Sequence, residues 1–305
     1  MTAGKGGERI PLSPILSVQF VGTLGFSLVL PFLVFLVTRW GGNALVYAVM
    51  GATYSVFQLV GAPLLGRWSD RVGRRRVLLV SQIGTLLSWC VFLVAFALPV
   101  DTLLAVNSPV LGSFLVTAPL MVMFLARALD GITGGNVSVA NAYLADISPE
   151  DERTANFGKM AVAANLGFIL GPTLAGLLGG TRYGEILPVL AAVLISVVAG
   201  LIIFLRLPES RPCAYPDEEL PRSVRKVFGQ EERDCVRTRE GGRISGMGIV
   251  RLPGVGAMLL IHFLVMVGFN VFYVAFPMRA ATDLEWSVTR TGLFFSVLAL
   301  CMALV

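Results

Sequence analysis

One repeated feature limits what this chain can fold into: long apolar runs, each about the length of a membrane span, separated by short polar stretches. A spanning helix needs about 20 mostly apolar residues. The sequence offers eight such runs, at Pro14–Val37, Ala44–Leu65, Val77–Leu98, Val116–Ala145, Phe157–Gly179, Glu185–Leu205, Pro253–Pro277 and Ser287–Val305. Composition excludes a water-soluble alternative. The chain is 55% hydrophobic and only 14% charged, where soluble domains carry about 25% charged residues, and a soluble fold this apolar would expose extensive greasy patches. The sequence therefore describes an all-α, multi-pass membrane protein. The segment from Asp101 to Ala118, apolar but interrupted by Pro109 and Pro119, is expected to be an extracytoplasmic loop.

The pI near 9.3 is consistent with nucleic-acid binding or with basic cytoplasmic loops, and the position of the charges decides between them. With the amino terminus in the cytoplasm, only Arg39, Arg182, Arg279 and Arg290 fall on the opposite side and Arg127 falls within a span. The other nineteen of the 24 Lys and Arg residues are cytoplasmic. This asymmetry is the positive-inside pattern, so the basic charge orients the chain in a bilayer and implies no nucleic-acid partner. Cys90, Cys213, Cys235 and Cys301 form no CxxC pair, which points to neither a disulfide framework nor a zinc site. No metal or cofactor is expected. Met1–Ser13 lacks a signal-peptide pattern. The stretch Pro208–Arg251, dense in Arg, Glu and Gly, has the composition of a flexible linker. The last run is still apolar at Val305, and the sequence is expected to be cut or truncated inside a membrane segment.

Between the second and third runs lies Gly61-Ala-Pro-Leu-Leu-Gly-Arg-Trp-Ser-Asp-Arg-Val-Gly-Arg-Arg-Arg76. Gly66 and Gly73 suit close approach and a tight turn, and Asp70 sits among five arginines. Taken as composition, this is equally an anchor of positive charge with an incidental acid. The spacing is more specific. Gly66-Arg-Trp-Ser-Asp70-Arg71-Val-Gly73-Arg74-Arg75 resembles the hallmark loop of the major facilitator superfamily, G-x-x-x-D-R-x-G-R-R/K. Within that superfamily the chain looks most like proton-coupled drug antiporters of the tetracycline-efflux type, on Gly61–Val80, Gly131-Ile-Thr-Gly-Gly135 and Ala145-Asp146. The resemblance implies a major facilitator fold, with a complete six-helix amino-terminal half and two helices of an incomplete carboxy-terminal half. The division expected is 1–13 cytoplasmic, 14–207 six-helix bundle, 208–252 cytoplasmic linker and 253–305 first helices of the second bundle. The resemblance also implies a gate in which Asp70 pairs with Arg74, and Asp146 joins them, on the cytoplasmic side.

The fourth run carries charge inside the membrane. Arg127 and Asp130 are three residues apart, on one helix face, and intramembrane charges face a bundle interior or a wet cavity. Two readings stand: a pair that neutralises itself for insertion, or a proton-responsive site. Arg127 matches the arginine that the antiporter family implicates in proton coupling. Asn136 and Asn141 either face substrate or hydrogen-bond neighbouring helices.

In the fifth run, Gly167, Gly171, Ala175 and Gly179 recur every four residues and form a smooth seam for close helix approach, with Pro172 removing one backbone hydrogen bond. Close packing explains this seam without further assumption. The same residues also resemble the antiporter signature G-x-x-x-G-P-x-x-G-G, carried here by Gly167, Gly171, Pro172 and Gly176 with Ala175 replacing one glycine. The signature favours efflux over uptake.

Two departures bear on substrate. The tetracycline exporters have an acid in the first span and another in the third, where this chain has Gly22 and Trp89, which argues against tetracycline. Gln58, Asn165 and the lone His262 are the remaining candidate cavity residues. The function expected is secondary active, proton-coupled efflux of a small organic molecule by a monomer of the plasma (inner) membrane. The alternative is a truncated, non-transporting relative acting as a sensor or scaffold. The chain has no GxxxxGK[ST] stretch, histidine cluster or nucleophile motif, and no enzymatic activity is expected.

Overall fold

The computed structural model describes residues 10–134, 136–210 and 254–304. Its helices are α1 (Ser13–Arg39), α2 (Ala44–Val72), α3 (Arg74–Ala97), α4 (Ala118–Thr133), α5 (Asn136–Ile147), α6 (Arg153–Gly179), α7 (Ile186–Arg206), α8 (Val255–Thr282) and α9 (Val288–Leu304), with strands β1 (Thr102–Ser108) and β2 (Gly112–Thr117) between α3 and α4. Five of the helices, α1, α2, α3, α6 and α7, are long and apolar enough to cross a membrane. A helix satisfies all its backbone polar groups internally, which the hydrocarbon core of a bilayer requires.

Three expectations change. The apolar run 101–118 is an antiparallel hairpin in which Ala105 pairs with Leu115 and Val106 with Phe114. Pro109 falls in its turn, where its missing N–H costs no ladder bond. The single fourth span is two helices, α4 and α5, meeting at Gly134. The hallmark segment is mostly helical: α2 continues through Val72 and α3 begins at Arg74, so only Gly73 joins them. Gly73 has φ +102°, a backbone region open to glycine and strained for other residues. Most of the linker, residues 211–252, lies outside the described residues.

Packing neighbours trace a chain of contacts. α2 lies on α4, α4 on α3, α3 on α7, α7 on α1, α1 on α6, and α6 on α9. The core divides along the helix axes. Leu28, Phe32 and Leu36 of α1, with Trp89 and Phe92 of α3 and Met123 of α4, form one apolar cluster towards the hairpin. Ile15 and Val18 of α1, Val77 and Leu78 of α3, Tyr143 of α5 and Ile203 of α7 form a second at the Gly73 end. The residues between these clusters, halfway along the helices, surround a cavity.

Candidate functional site

The cavity has a volume of about 320 Å³. α1 contributes Gln19, Gly22 and Phe26, α2 contributes Tyr54 and Gln58, α3 contributes Gln82, Thr85 and Trp89, and Asp130, Asn136 and Phe168 complete the wall. Phe26 packs on Tyr54 with ring centroids 5.2 Å apart and on Phe168 at 6.3 Å, so one side is aromatic and the other polar. Of the candidate cavity residues, Gln58 and Asn136 line this cavity. Asn165 is exposed on α6 and is not a lining residue, so that assignment fails. Three residues on, about 60° around the helix, Phe168 takes the cavity position. His262 falls within α8, and its side chain lies outside what the structure describes. Gly22 and Trp89, the two positions without the expected acids, both face the cavity.

Asp130 is the one acid in the lining. Its Oδ2 lies 3.3 Å from Arg127 Nη1, and the two residues are only 6% and 3% exposed. The Arg127 guanidinium also sits 4.5 Å from the centroid of the Tyr54 ring, a cation–π contact that desolvation strengthens. Charge burial of this kind is tolerated only when each partner is compensated. Here the ion pair and the aromatic face supply part of that compensation, while Arg127 Nε is buried without a hydrogen-bond partner among the described residues.

The same helix breaks just beyond Asp130. Freed carbonyls at a helix break must find donors in a dry environment. Ser81 Oγ of α3 donates to the Thr133 carbonyl, and Gln58 Nε2 of α2 donates to that of Gly134 at 3.1 Å. Glycines make these approaches possible. A methyl group at Gly131 would overlap the Tyr54 carbonyl, and one at Gly134 would stand 2.8 Å from the Tyr54 hydroxyl.

At the Gly73 end, charges converge on Arg74. Its Nη2 is 2.7 Å from Asp70 Oδ1, its Nε donates to Asp146 Oδ2 at 3.1 Å, and its Nη1 donates to Ser69 Oγ. The structure thus brings together Asp70, Gly73, Arg74 and Asp146, residues up to 76 positions apart in sequence. Arg71 is exposed on the last turn of α2 and joins none of the ion pairs of the described residues. At Gly66 a Cβ would find only Ser138 Oγ, at 3.9 Å, so no close approach requires that glycine. Glu209 was not anticipated. It is 3% exposed, and its two carboxylate oxygens accept the backbone N–H groups of Arg74 and Arg75 at 2.8 and 3.1 Å. The Pro-Glu-Ser run that follows α7 was the available signal, but in sequence it is one of several acids in a charged linker.

The small-residue seam of α6 serves two partners rather than one. Gly167 and Gly171 admit α1: Ser27 Oγ donates to the Gly167 carbonyl at 2.9 Å, and a methyl at Gly171 would collide with that hydroxyl. Gly176 and Pro172 face α9. Thr289 Oγ1 donates to the Gly176 carbonyl at 2.9 Å, Thr173 Oγ1 donates to Ser296 Oγ at 2.7 Å, and a methyl on Gly292 would lie 2.5 Å from the Pro172 carbonyl. Residues 167 and 176 are nine apart, about 900° of helical rotation, which turns them to opposite sides.

A family model described as the Major Facilitator Superfamily matches residues 15–305. The chain belongs to this superfamily. Among curated relatives, it is 32% identical over 229 residues to the class E tetracycline resistance protein of Escherichia coli, covering 74% of this chain and 51% of that protein. It is 28% identical over 293 residues to the class C protein of the same species, covering 95% and 64%. The chain thus spans about half to two thirds of the length of these relatives. Among solved structures, the human organic anion transporter MFSD10 (TETRAN) superposes with a TM-score of 0.64 at 22% identity, covering 98% of this chain and 71% of that one, which shows the shared fold. The chain is a major facilitator of the multi-pass membrane type, similar in sequence to tetracycline resistance proteins.

Proposed function

We propose that this major facilitator is a proton-coupled exporter of a small, drug-like organic molecule, working by alternating access as a monomer in the plasma (inner) membrane with its amino terminus in the cytoplasm. The observation that carries this reading is the Asp130–Arg127 pair in the wall of a mid-membrane cavity. A proton arriving on Asp130 cancels its charge and releases Arg127 from its ion pair. The cost of the buried guanidinium then changes, and the cavity's balance between two conformations shifts with it. In this reading Asp130 and Arg127 couple protons to transport. Gln58, Asn136 and the aromatic wall of Phe26, Tyr54 and Phe168 hold the substrate.

In the same reading the cluster of Asp70, Arg74 and Asp146 is a gate that holds the cytoplasmic side shut. Gly176 and Pro172 let α9 of the second half pack closely enough to seal the path around it. Efflux, rather than uptake, is supported by the sequence similarity to tetracycline resistance proteins. Gly22 and Trp89 in the cavity wall favour a substrate other than tetracycline, since the tetracycline exporters carry acids at these two positions and this wall does not.

The test uses everted membrane vesicles carrying the full chain, acidified inside and monitored with a pH-sensitive dye. Addition of an aromatic amphiphile such as ethidium should release protons, and Asp130→Asn should abolish the release while the protein still folds and inserts. Release at the wild-type rate in Asp130→Asn removes that residue from coupling. A wild-type chain that releases no protons with any of a panel of such compounds overturns the antiport reading and leaves a sensor or scaffold.

A further inference from the structure

We propose that the groove between the hairpin and the adjoining ends of α2 and α4 binds an acyl chain of a membrane lipid. The groove encloses about 200 Å³ and is lined only by apolar side chains, among them Leu45 and Val49 of α2, Phe114 and Leu115 of β2, and Leu120 and Met121 of α4. It is built on a fixed frame. The Leu115 N–H donates to the Gly41 carbonyl at 2.8 Å, Asn43 Nδ2 donates to the Leu111 carbonyl at 3.0 Å, and Thr117 Oγ1 donates to the Trp40 carbonyl at 2.9 Å. The hairpin is thereby tied to the turn between α1 and α2, and the groove beneath it is preformed.

Three observations identify what fills it. First, residues 102–117 contain no charged side chain, yet Leu103 is 63% exposed and Val110 88% exposed. Apolar side chains this exposed, on a hairpin without charge, suit an apolar surrounding. Second, the groove opens away from the second half of the chain. A Cβ at Gly51 would meet Val274 of α8 at 3.8 Å, and Val49 lies two residues, about 200°, around the helix from that contact. Third, the groove continues the exposed apolar faces of two membrane-embedded segments, including Val56 and Leu59 of α2 and Leu125 of α4, which is the surface that meets lipid in a multi-pass protein. The depth follows from backbone chemistry. A two-stranded sheet has open edges that hydrocarbon cannot satisfy, so the strands lie at headgroup level. The groove beneath them is at the boundary where acyl chains begin.

The experiment places a reporter in the groove. The full chain carrying Phe114→Trp is reconstituted into phosphatidylcholine vesicles whose acyl chains are either plain or brominated, and the emission added over the wild-type tryptophans is compared. Loss of that added emission in brominated vesicles, with little quenching by aqueous iodide, is expected. Filling the groove with Val49→Trp shifts the competition. In a Phe114→Trp background corrected for the new residue's own signal, the bromine-dependent loss should shrink while thermal unfolding stays unchanged. Quenching by iodide instead shows a water-filled groove, and quenching by neither shows one covered by protein. Either result overturns the proposal.

Discussion

Glu209 caps the helix that begins at Arg74: one carboxylate oxygen accepts the Arg74 N–H at 2.8 Å and the other accepts that of Arg75 at 3.1 Å. The first N–H groups of a helix have no partner within it, and an acid there also meets the positive end of the macrodipole. At the residue immediately before, Gly73, an added Cβ would collide with this carboxylate. The cap joins the end of α7 to the start of α3, and so to the Asp70–Arg74–Asp146 cluster. Glu209→Ala would leave two buried N–H groups without acceptors, at about 1–3 kcal/mol each. The expected result is a lower midpoint of thermal unfolding in detergent, with Glu209→Gln losing less because one amide oxygen still accepts. Equal midpoints for the wild type and Glu209→Ala would show that water replaces the cap without cost.

Gly73 is the companion test. Its φ is +102°, and a Cβ there would stand 2.5 Å from Glu209 Oε2. Gly73→Ala therefore meets two penalties, backbone strain of about 1–3 kcal/mol and displacement of the cap. It should destabilise the chain more than Glu209→Gln does. In the double variant Gly73→Ala/Glu209→Ala the steric part disappears, so the two losses should sum to more than the double variant shows. Strict additivity in the unfolding midpoints would sink this account of the contact.

The difference between Gly73 and Glu209 shows where sequence reading stops. The glycine at 73 made a turn legible, and the resemblance of 66–75 to the family's hallmark loop implied the Asp70–Arg74 pair, although the segment was read as a loop and Asp70 and Arg74 lie on two helices joined at Gly73. Glu209 is 135 residues from Arg74, and only tertiary packing brings them together. The apolar runs made the spans legible. The break at Gly134 was not legible, since an apolar run with two adjacent glycines is compatible with a continuous helix. What decides it is Ser81 and Gln58 reaching from α3 and α2 to donate hydrogen bonds to the break's carbonyls. The hairpin was hidden because its strands do not alternate apolar and polar residues. Leu103, Leu104 and Ala105 succeed one another and are all exposed, which a strand facing a lipid boundary permits.

The two cavity positions that lack acids should respond differently to receiving one. A Cβ at Gly22 would have nothing within 4 Å, so Gly22→Asp places a carboxylate in open cavity space, where water can solvate it. Trp89 is 3% exposed and packs against Phe92 with ring centroids 5.8 Å apart. Trp89→Asp removes a large aromatic side chain, a change worth about 3–5 kcal/mol as Trp→Ala, and adds a charge that burial penalises further. Gly22→Asp should therefore insert and resist detergent as well as the wild type does, while Trp89→Asp should accumulate poorly. Comparable yields of folded protein for both, measured by fluorescence-detected size exclusion, would contradict this.

The α6–α9 contact offers a covalent check on how the two parts of the chain meet. Thr173 Oγ1 and Ser296 Oγ are 2.7 Å apart, near the point where Gly292 crosses the Pro172 carbonyl. Replacing both hydroxyl residues with cysteine puts two thiols at hydrogen-bonding distance in a background with the native Cys90, Cys213, Cys235 and Cys301 changed to serine. With a protease site inserted after Ser210, mild oxidation should keep the two cleaved fragments together on a denaturing gel until a reductant is added. Transport by alternating access requires the halves to move against each other. The crosslinked protein should consequently lose proton-coupled efflux and regain it on reduction. Fragments that separate under oxidation would show that α9 does not rest on Thr173, and efflux that survives a complete crosslink would show that this contact does not open during transport.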